Sequence, residues 1–377
     1  MTQRKIPAVF MRGGTSKALV FHARDLPAAR GEWDAIFLSA MGSPDPNGRQ
    51  LDGMGGGVSS LSKVCVIAPS QREDADIDYT FAQVQVKEAR VDYGANCGNM
   101  SSAVGPFAVE ERLVAAADGD ATVRIFNTNT RKIIHSAFAV RDSRAVIEGA
   151  LAIPGVAGTG APIRLDFVEP GGATTGRLLP SGNASDALDI PGLGRIEVSM
   201  VDAANACAFV AAEALGLKGT EMPEELERNA AALELLAAIR VHASVAMGIA
   251  RTLDEARARG AVPFIGFVSA AQDAPTLSGG RMPASDADVT LRMISNGQPH
   301  RALPLTASLC AAVAARIEGT TIWKAARRDG GDTLRLAMPS GVLTAGAQVL
   351  HGGSGWHATR GSFYRTARRL FEGYVYA

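Results

Sequence analysis

The sequence predicts an α+β protein of two similar domains, each a set of short strands around one small-residue apolar helix. Three observations predict it. At 377 residues the chain exceeds what one core usually supports. Both halves read mainly as short apolar or alternating runs separated by Gly, Pro and Asn, the pattern of strands and turns. Each half also holds one helix built from small apolar residues, over 96–113 and 304–319. The expected domains are 1–184 and 185–364, with the final strand, 365–377, open to return to the first.

Composition narrows the function. Lys and Arg number 38, Asp and Glu 38, and no basic block or aromatic-interleaved basic patch occurs, which argues against nucleic acid and anionic membranes. The opening MTQRKIPAVFMRGG has a short apolar run before Arg12, too short for a signal peptide, so a cytoplasmic protein without membrane spans is expected. Cys65, Cys97, Cys207 and Cys310 lack CxxC spacing, and the six histidines include no HExxH pair. Free thiols in a reducing compartment and no metal site follow.

In order, a strand at 6–11 runs into Arg12, Gly13, Gly14, Thr15, Ser16 and Lys17, then a second strand at 18–21. Two glycines followed by hydroxyls and a lysine suit a loop that approaches an anion, or an ordinary hairpin turn with a solvated lysine. It is not a P-loop, because Ser16 precedes Lys17 and the first glycine is missing. A helix is predicted at 31–41, then a glycine-rich stretch to Gly57 that leads through SSLS to Lys63 and a strand at 64–68. Valine at 58, and a strand where a helix is required, rule out a dinucleotide fingerprint. Lys63, held close to the core, is a candidate base, because burial disfavours its charged form.

Strands over 76–91 lead to DYGANCGNMSSAVGPFA, 92–108. Asn96 suits an N-cap, and Met100, Ala103, Val104, Phe107 and Ala108 mark one helical face. Cys97 then falls in the first turn, where free amides stabilise a thiolate or a ligand carboxylate; a small buried core residue is the other reading. Pro106 cannot bond back to Ser102 and should disturb the helix. Strands follow near 123–126, 132–140, 145–147 and 163–167, then a glycine-rich stretch, 171–183. The second half offers strands at 195–201 and 208–210 around a turn, and one long helix at 223–247. Strands at 264–269 and 289–293 precede the buried helix from Pro304, and a strand-helix-strand closes the chain.

The motifs MRGGTSK (11–17), DGMGG with SSLSK (52–63), DYGANCGNMSSAVGPFA, LLPSGN (178–183), PLTASLCAAVAARIEGT (304–320), PSG (339–341) and RTARRLFEG (365–373) occur together. In combination they resemble the 2-methylaconitate cis-trans isomerase (PrpF) family, which includes 4-oxalomesaconate tautomerase and methylitaconate isomerase. The resemblance runs end to end. It implies the diaminopimelate-epimerase-like fold, two similar domains each wrapping a curved, mostly antiparallel sheet around a central helix, with the active site between them. It further implies no metal, flavin or pyridoxal phosphate. The family's catalytic lysine falls on Lys63 and its cleft cysteine on Cys97. Ala18 and Ala307 stand where glycine is usual, which alters the turns beside them.

The expected reaction is a cofactor-independent shift or rotation of a C=C bond in an unsaturated di- or tricarboxylate, by allylic proton transfer. Lys63 would move the proton, with Cys97 as a second catalytic candidate. The substrate would be held by Arg12, Gly14, Thr15, Ser16, Lys17, Asn96, Gly98, Asn99, Met100, Thr306, Ser308, Ser340 and Gly341. Such a site supplies positive charge and amide donors where negative charge develops. The type is 2-methylaconitate or aconitate cis-trans isomerisation, with 4-oxalomesaconate tautomerisation as the alternative. Outside enzymes the rival is a tricarboxylate-binding protein. Among enzymes it is a cofactor-free amino-acid racemase, which would want paired thiols. The partner is a small carboxylate, and a homodimer is left open.

Overall fold

The computed structural model describes residues 3–93, 97–259, 262–295, 297–327, 331–353 and 355–377. The chain divides into two compact units, Met1–Asp166 with Tyr364–Ala377, and Phe167–Phe363.

In the first unit β1 (Lys5–Gly13) and β2 (Ser16–His22) form a hairpin. Helix α1 (Trp33–Met41) follows, preceded by a 3-10 turn where the sequence predicts the helix to begin. Strand β3 (Lys63–Pro69) lies parallel to β2 and antiparallel to β4 (Ile77–Val84). Short β5 (Val91–Asp92) pairs with β4, and α2 (Gly98–Glu110) comes next. Then β6 (Gly119–Asn127) runs parallel to β4 and antiparallel to β7 (Lys132–Arg141), which pairs with β8 (Arg144–Ala145). Strands β9 (Leu151–Ala152) and β10 (Thr159–Gly160) pair with each other, and β11 (Ile163–Val168) contains the boundary.

The second unit begins with the hairpins β12 (Asp186–Ile190), β13 (Gly194–Ala203) and β14 (Asn205–Ala211). Three helices follow: α3 (Pro223–Arg228), α4 (Ala230–Ala246) and α5 (Leu253–Ala258). The single long helix predicted at 223–247 is thus two, because Asn229 leaves helical geometry and its side chain caps α4 through the Ala232 amide. Strand β15 (Phe264–Ala270) is parallel to β14; a small ribbon of β16 (Ala274–Pro275) and β17 (Arg281–Met282) leads to β18 (Val289–Ser295), antiparallel to β15. After β19 (Gln298–Pro299), α6 (Leu305–Ala314) and α7 (Thr321–Ala325), strand β20 (Thr333–Met338) runs parallel to β18. Strands β21 (Gly341–Gly352), β22 (Gly355–Arg365) and β23 (Ala367–Tyr376) complete the chain. These replace the predicted closing strand-helix-strand, and β23 pairs with β1.

Both units repeat one strand plan. In β1, β2, β3, β4, β6 and β7 the successive pairings are antiparallel, parallel, antiparallel, parallel and antiparallel. The same order holds in β13, β14, β15, β18, β20 and β21. Even a side-chain clamp recurs. Arg124 of β6 donates its amide and guanidinium to Asp76 at 2.7–3.2 Å, and Arg335 of β20 does the same to Asp288 at 2.6–3.3 Å. Each clamp spans the step where two parallel strands begin.

Each sheet carries an amphipathic helix on one face and a small-residue helix in the fold. In the first unit Leu19, Phe21, Val64, Val66, Ala82 and Val84 meet Ile36, Phe37 and Met41 of α1. In the second, Val198, Met200, Val210 and Phe267 meet Leu236, Ile239 and Ala243 of α4. Helix α2 is buried from Met100 to Val109 and packs against β1, β6, β7 and β8. Burial of Met100, Val104 and Phe107 contributes about 1.5–3 kcal/mol each. Helix α2 continues through Pro106, which leaves out the one bond back to Ser102. Gly105 before it has no Cβ to crowd the ring, and that same bareness admits Ser136 and Phe138 of β7, 2.6 Å from where a Cβ would be.

The boundary at 166/167 falls ahead of the expected 184/185, because the glycine-rich stretch 171–183 is bonded into the second unit. The Gly172 amide donates to the Asp202 carbonyl at 2.8 Å and the Asp202 amide to the Leu178 carbonyl at 2.9 Å. The Asp202 carboxylate accepts from the Thr174 and Thr175 amides at 2.8 and 2.6 Å. Among the described residues no helix is long and apolar enough to cross a membrane.

The clamps make the fold acid-sensitive. Burial pushes the carboxyls of Asp76 and Asp288 up, but bonds and charge from Arg124 and Arg335 more than offset it, leaving both below their ordinary value. Since the folded value is the lower one, this stabilisation is complete above about pH 5 and is lost as pH falls through about 3.9 and below. Thermal melting followed by circular dichroism should stay level from about pH 7 to 5 and drop below about 4. Asp288→Asn should melt lower at neutral pH and show a smaller acid drop.

Candidate active site

The site residues of the first unit gather where the β1–β2 turn meets the start of α2. Strand alternation sorts them by face. In the ladder Gly13 is opposite Ser16 and Met11 opposite Ala18, while Ala18 lies beside Lys63 and Lys63 opposite Gln83. These side chains share one face, and α2 covers it: a Cβ on Gly13 would lie 2.4 Å from the Asn99 carbonyl oxygen and 3.1 Å from Met100 Cα. The other face carries α1. There the ladder puts Arg12 opposite Lys17, and Lys17 Nζ sits 5.5 Å from the centre of the Phe10 ring.

This separates residues that the sequence groups together. Lys17, expected to hold a substrate carboxylate beside Lys63, projects from the opposite face of the sheet. Arg12 is a brace for the turn: its guanidinium donates to the carbonyls of Gly14 at 2.9 Å and Thr366 at 3.0 Å. Burial and the charge of Arg368 lower its pKa.

Gly14 has φ +50, and a Cβ there would meet Asn99 Oδ1 at 2.2 Å, so both glycines are dictated by the approach of α2. Asn99 ties the turn down. Its Nδ2 donates to Thr15 Oγ1 at 3.1 Å, and its Oδ1 accepts from the Thr15 amide at 3.5 Å and from Arg365 Nε at 3.1 Å. Arg365 also donates to the Tyr364 carbonyl at 2.7 Å, and burial pulls its pKa down to about 10. Sequence reading passed over Arg365, although it opens the RTARRLFEG motif; the signal was an arginine on a strand otherwise built to be buried.

Helix α2 starts at Gly98 with Cys97 as its extended N-cap residue, so Cys97 precedes the first turn and is not within it. Asn96, expected as the cap, lies outside the described residues. The first bond back within the helix runs from the Ser101 amide to the Cys97 carbonyl at 2.9 Å, so the amides of Gly98, Asn99 and Met100 have no intrahelical acceptor. Cys97 is half-buried, whereas Cys65 is fully buried on β3. Burial and nearby Cys97 push the Cys65 thiol up, against smaller opposing effects of Tyr79 and Lys63.

Lys63 opens β3 and is 8% exposed. Its Nζ donates to Gln83 Oε1 and lies 5.1 Å from the centre of the Phe81 ring. A buried amine on a polar acceptor, on the face of the sheet that α2 covers, can exchange a proton with a bound acid.

In the second unit Thr306 and Ser308 lie on the first turn of α6. Asn205 Nδ2, just past the β13–β14 turn, donates to Thr306 Oγ1 at 3.5 Å, the counterpart of the Asn99–Thr15 link. Ser308 is turned inward, donating to the Leu305 carbonyl at 2.7 Å. Pro339 and Ser340 form the β20–β21 turn, Gly341 opens β21, and Ser340 Oγ is buried with no partner among the described residues. Pro304 stands at the N-cap of α6, where α2 has Cys97. Cys310 is fully buried inside α6, its Sγ 3.3 Å from the Val201 carbonyl, so the paired thiols of a racemase are not at the two helix starts. Among the described residues no three His, Cys, Asp or Glu side chains group as a metal site.

Two units of one topology, each a sheet around a buried helix, define the diaminopimelate-epimerase-like class. A hydroxyproline epimerase from Agrobacterium vitis shares that fold at 14% identity and a TM-score of 0.52, over 99% of this chain and 93% of that one. Within the class the chain belongs to the PrpF family, described as PrpF protein, which it matches over residues 3–377. It is an isomerase of that family. A solved methylitaconate-delta-isomerase superposes with a TM-score of 0.93 at 41% identity, covering 100% of this chain and 96% of that one. The 3-methylitaconate isomerase of Eubacterium barkeri is 41% identical over 99% of this chain and 97% of its own length. The 2-methyl-aconitate isomerase of Shewanella oneidensis is 36% identical over 99% and 97%, and the 4-oxalomesaconate tautomerase of Pseudomonas putida 39% over 100% and 97%.

The close approach of the turn to α2 predicts that Gly13→Ala costs at least about 1–3 kcal/mol in urea unfolding, because the obstructing atom is a backbone carbonyl. A Gly13→Ala protein as stable as the parent would contradict the geometry.

Proposed function

We propose that this isomerase moves a proton along the allylic system of an unsaturated di- or tricarboxylate, with Lys63 as the base that removes and returns it. The observation that carries this reading is the buried Lys63 amine on the α2 face of the sheet, beside amides that have no acceptor inside the helix. Removing an allylic proton leaves charge delocalised toward a carboxylate or keto group. The amides of Gly98, Asn99 and Met100 and the hydroxyl of Ser16 stabilise that charge. Thr15 and Asn99 keep the turn in place while the proton moves. Thr306, Ser308, Ser340 and Gly341 are the second unit's candidates for carboxylate contacts, with Ser340 Oγ the one lacking a partner among the described residues. Cys97, half-buried at the N-cap, serves the anion site chiefly through the backbone it starts.

Acid–base groups and amides suffice for such a step, so neither metal nor organic cofactor is invoked. The substrate class follows the relatives, methylitaconate and 2-methylaconitate before 4-oxalomesaconate. Four free cysteines suit a reducing compartment and support a cytoplasmic location.

A panel of methylitaconate, 2-methylaconitate, aconitate and 4-oxalomesaconate in deuterated buffer, followed by proton NMR, tests the reaction. One acid should lose its allylic proton signal as it isomerises; exchange in none of the four would overturn the proposal. Lys63→Ala should lose roughly 10²- to 10⁴-fold in turnover while still binding substrate. Cys97→Ser should fold and lose less. If both were equally inactive and exchange vanished in each, Cys97 would be a full second base. Dialysis against a strong chelator should leave the rate unchanged, and a loss restored by one divalent metal would count against a cofactor-free mechanism.

A further inference from the structure

Gln83 has the geometry of a residue that acts through Lys63. It stands opposite Lys63 in the β3–β4 ladder, and its carboxamide is fixed from several sides. The amide nitrogen faces only acceptors: the carbonyls of Ser59 and Ser62, each at 3.0 Å, and that of Val84 at 3.3 Å. A carboxamide has donors on nitrogen alone, so these carbonyls decide which end faces which way. Oε1 is thereby turned to Lys63 Nζ, from which it accepts a hydrogen bond. The Phe81 ring, 5.1 Å from Nζ, bounds a second side of the amine.

We propose that Gln83 is a positioning residue for Lys63, holding one N–H of the amine against its Oε1 so that the remaining lone pair or proton is presented to the bound substrate. The inference rests on Lys63 being the proton-transfer base. A lysine amine ends a flexible four-carbon stem and would otherwise point its lone pair in many directions. The uncharged Oε1 accepts from an ammonium and from a free amine alike, so it keeps its grip through both halves of the transfer. A carboxylate in its place would favour the ammonium and would set its lone pairs against the Ser59 and Ser62 carbonyls. The other titratable groups around Lys63 are Cys65 on its own strand, Cys97 at the start of α2, and Asp92, opposite Gln83 in the β4–β5 ladder. Lys17 next to Ala18 is on the far face.

Two variants test this, Gln83→Met and Gln83→Glu, assayed beside Lys63→Met with methylitaconate and 2-methylaconitate by proton NMR in deuterated buffer from about pH 6 to 10. Gln83→Met should leave KM within about threefold and lower kcat about 10- to 100-fold, since only the orientation of the reacting amine has changed. Gln83→Glu should be slow at neutral pH and recover as pH rises, its ascending kcat limb moved upward by about one unit or more. Wild-type kcat in Gln83→Met, or an unmoved limb in Gln83→Glu, overturns the proposal. So does a matched fall in melting temperature and kcat in both variants with no movement of the limb, which would make Gln83 a tether for the 59–62 segment only. An active Lys63→Met refutes the base assignment itself, whereas an inactive Lys63→Met beside a fully active Gln83→Met refutes only the role of Gln83.

Discussion

The first unit depends on one steric fact: the β1–β2 turn and the first turn of α2 approach so closely that neither Gly13 nor Gly14 has room for a Cβ. From that contact the rest of the local arrangement follows. Asn99 is brought over the turn to bond Thr15, and Arg365 is drawn in behind it. A buried helix end must find partners or a ligand for its amides. Here the side chains that lie nearest satisfy the turn and leave the Gly98–Met100 amides without an acceptor inside the helix. The glycines are thus a packing requirement that fixes where α2 begins against the turn.

Much of this was legible in the sequence because the determinants are local. Glycine pairs, small-residue helices and strand alternation are written in consecutive residues, and the joint occurrence of seven motifs carried the family. What escaped depends on pairing. That Lys17 lies on the other face from Lys63 follows from the β1–β2–β3 register, which no single segment reveals. Gln83 sits in an ordinary alternating strand, FAQV, and acquires meaning only as the residue opposite Lys63. The break at Asn229 and the passage of α2 through Pro106 turn on single residues, a capping side chain and a glycine before proline, that a periodicity count passes over. The division at 166/167 differs from the expected 184/185 because the glycine-rich stretch is tied to Asp202, some thirty residues on, by bonds that no local pattern announces.

The two units share strand order, a clamp between an aspartate and an arginine, and a link from the hairpin turn to the second residue of the buried helix. They differ in the groups that bear on chemistry. Cys97 answers to Pro304 at the helix cap. Lys63, beside Ala18 of β2, answers to Phe264, beside Cys207 of β14. The scaffold is duplicated, and the amine is not.

That asymmetry has a stereochemical consequence. Enzymes that invert a carbon centre with two bases deprotonate from one side and reprotonate from the other. With Lys63 as the base proposed above, a single amine removes and returns the proton on one side of a planar intermediate. On that proposal removal and return are suprafacial, and the ammonium's protons are open to exchange with solvent between the two steps. A repeat that carries phenylalanine where Lys63 stands therefore suits, on that proposal, moving or turning a double bond better than inverting a tetrahedral carbon.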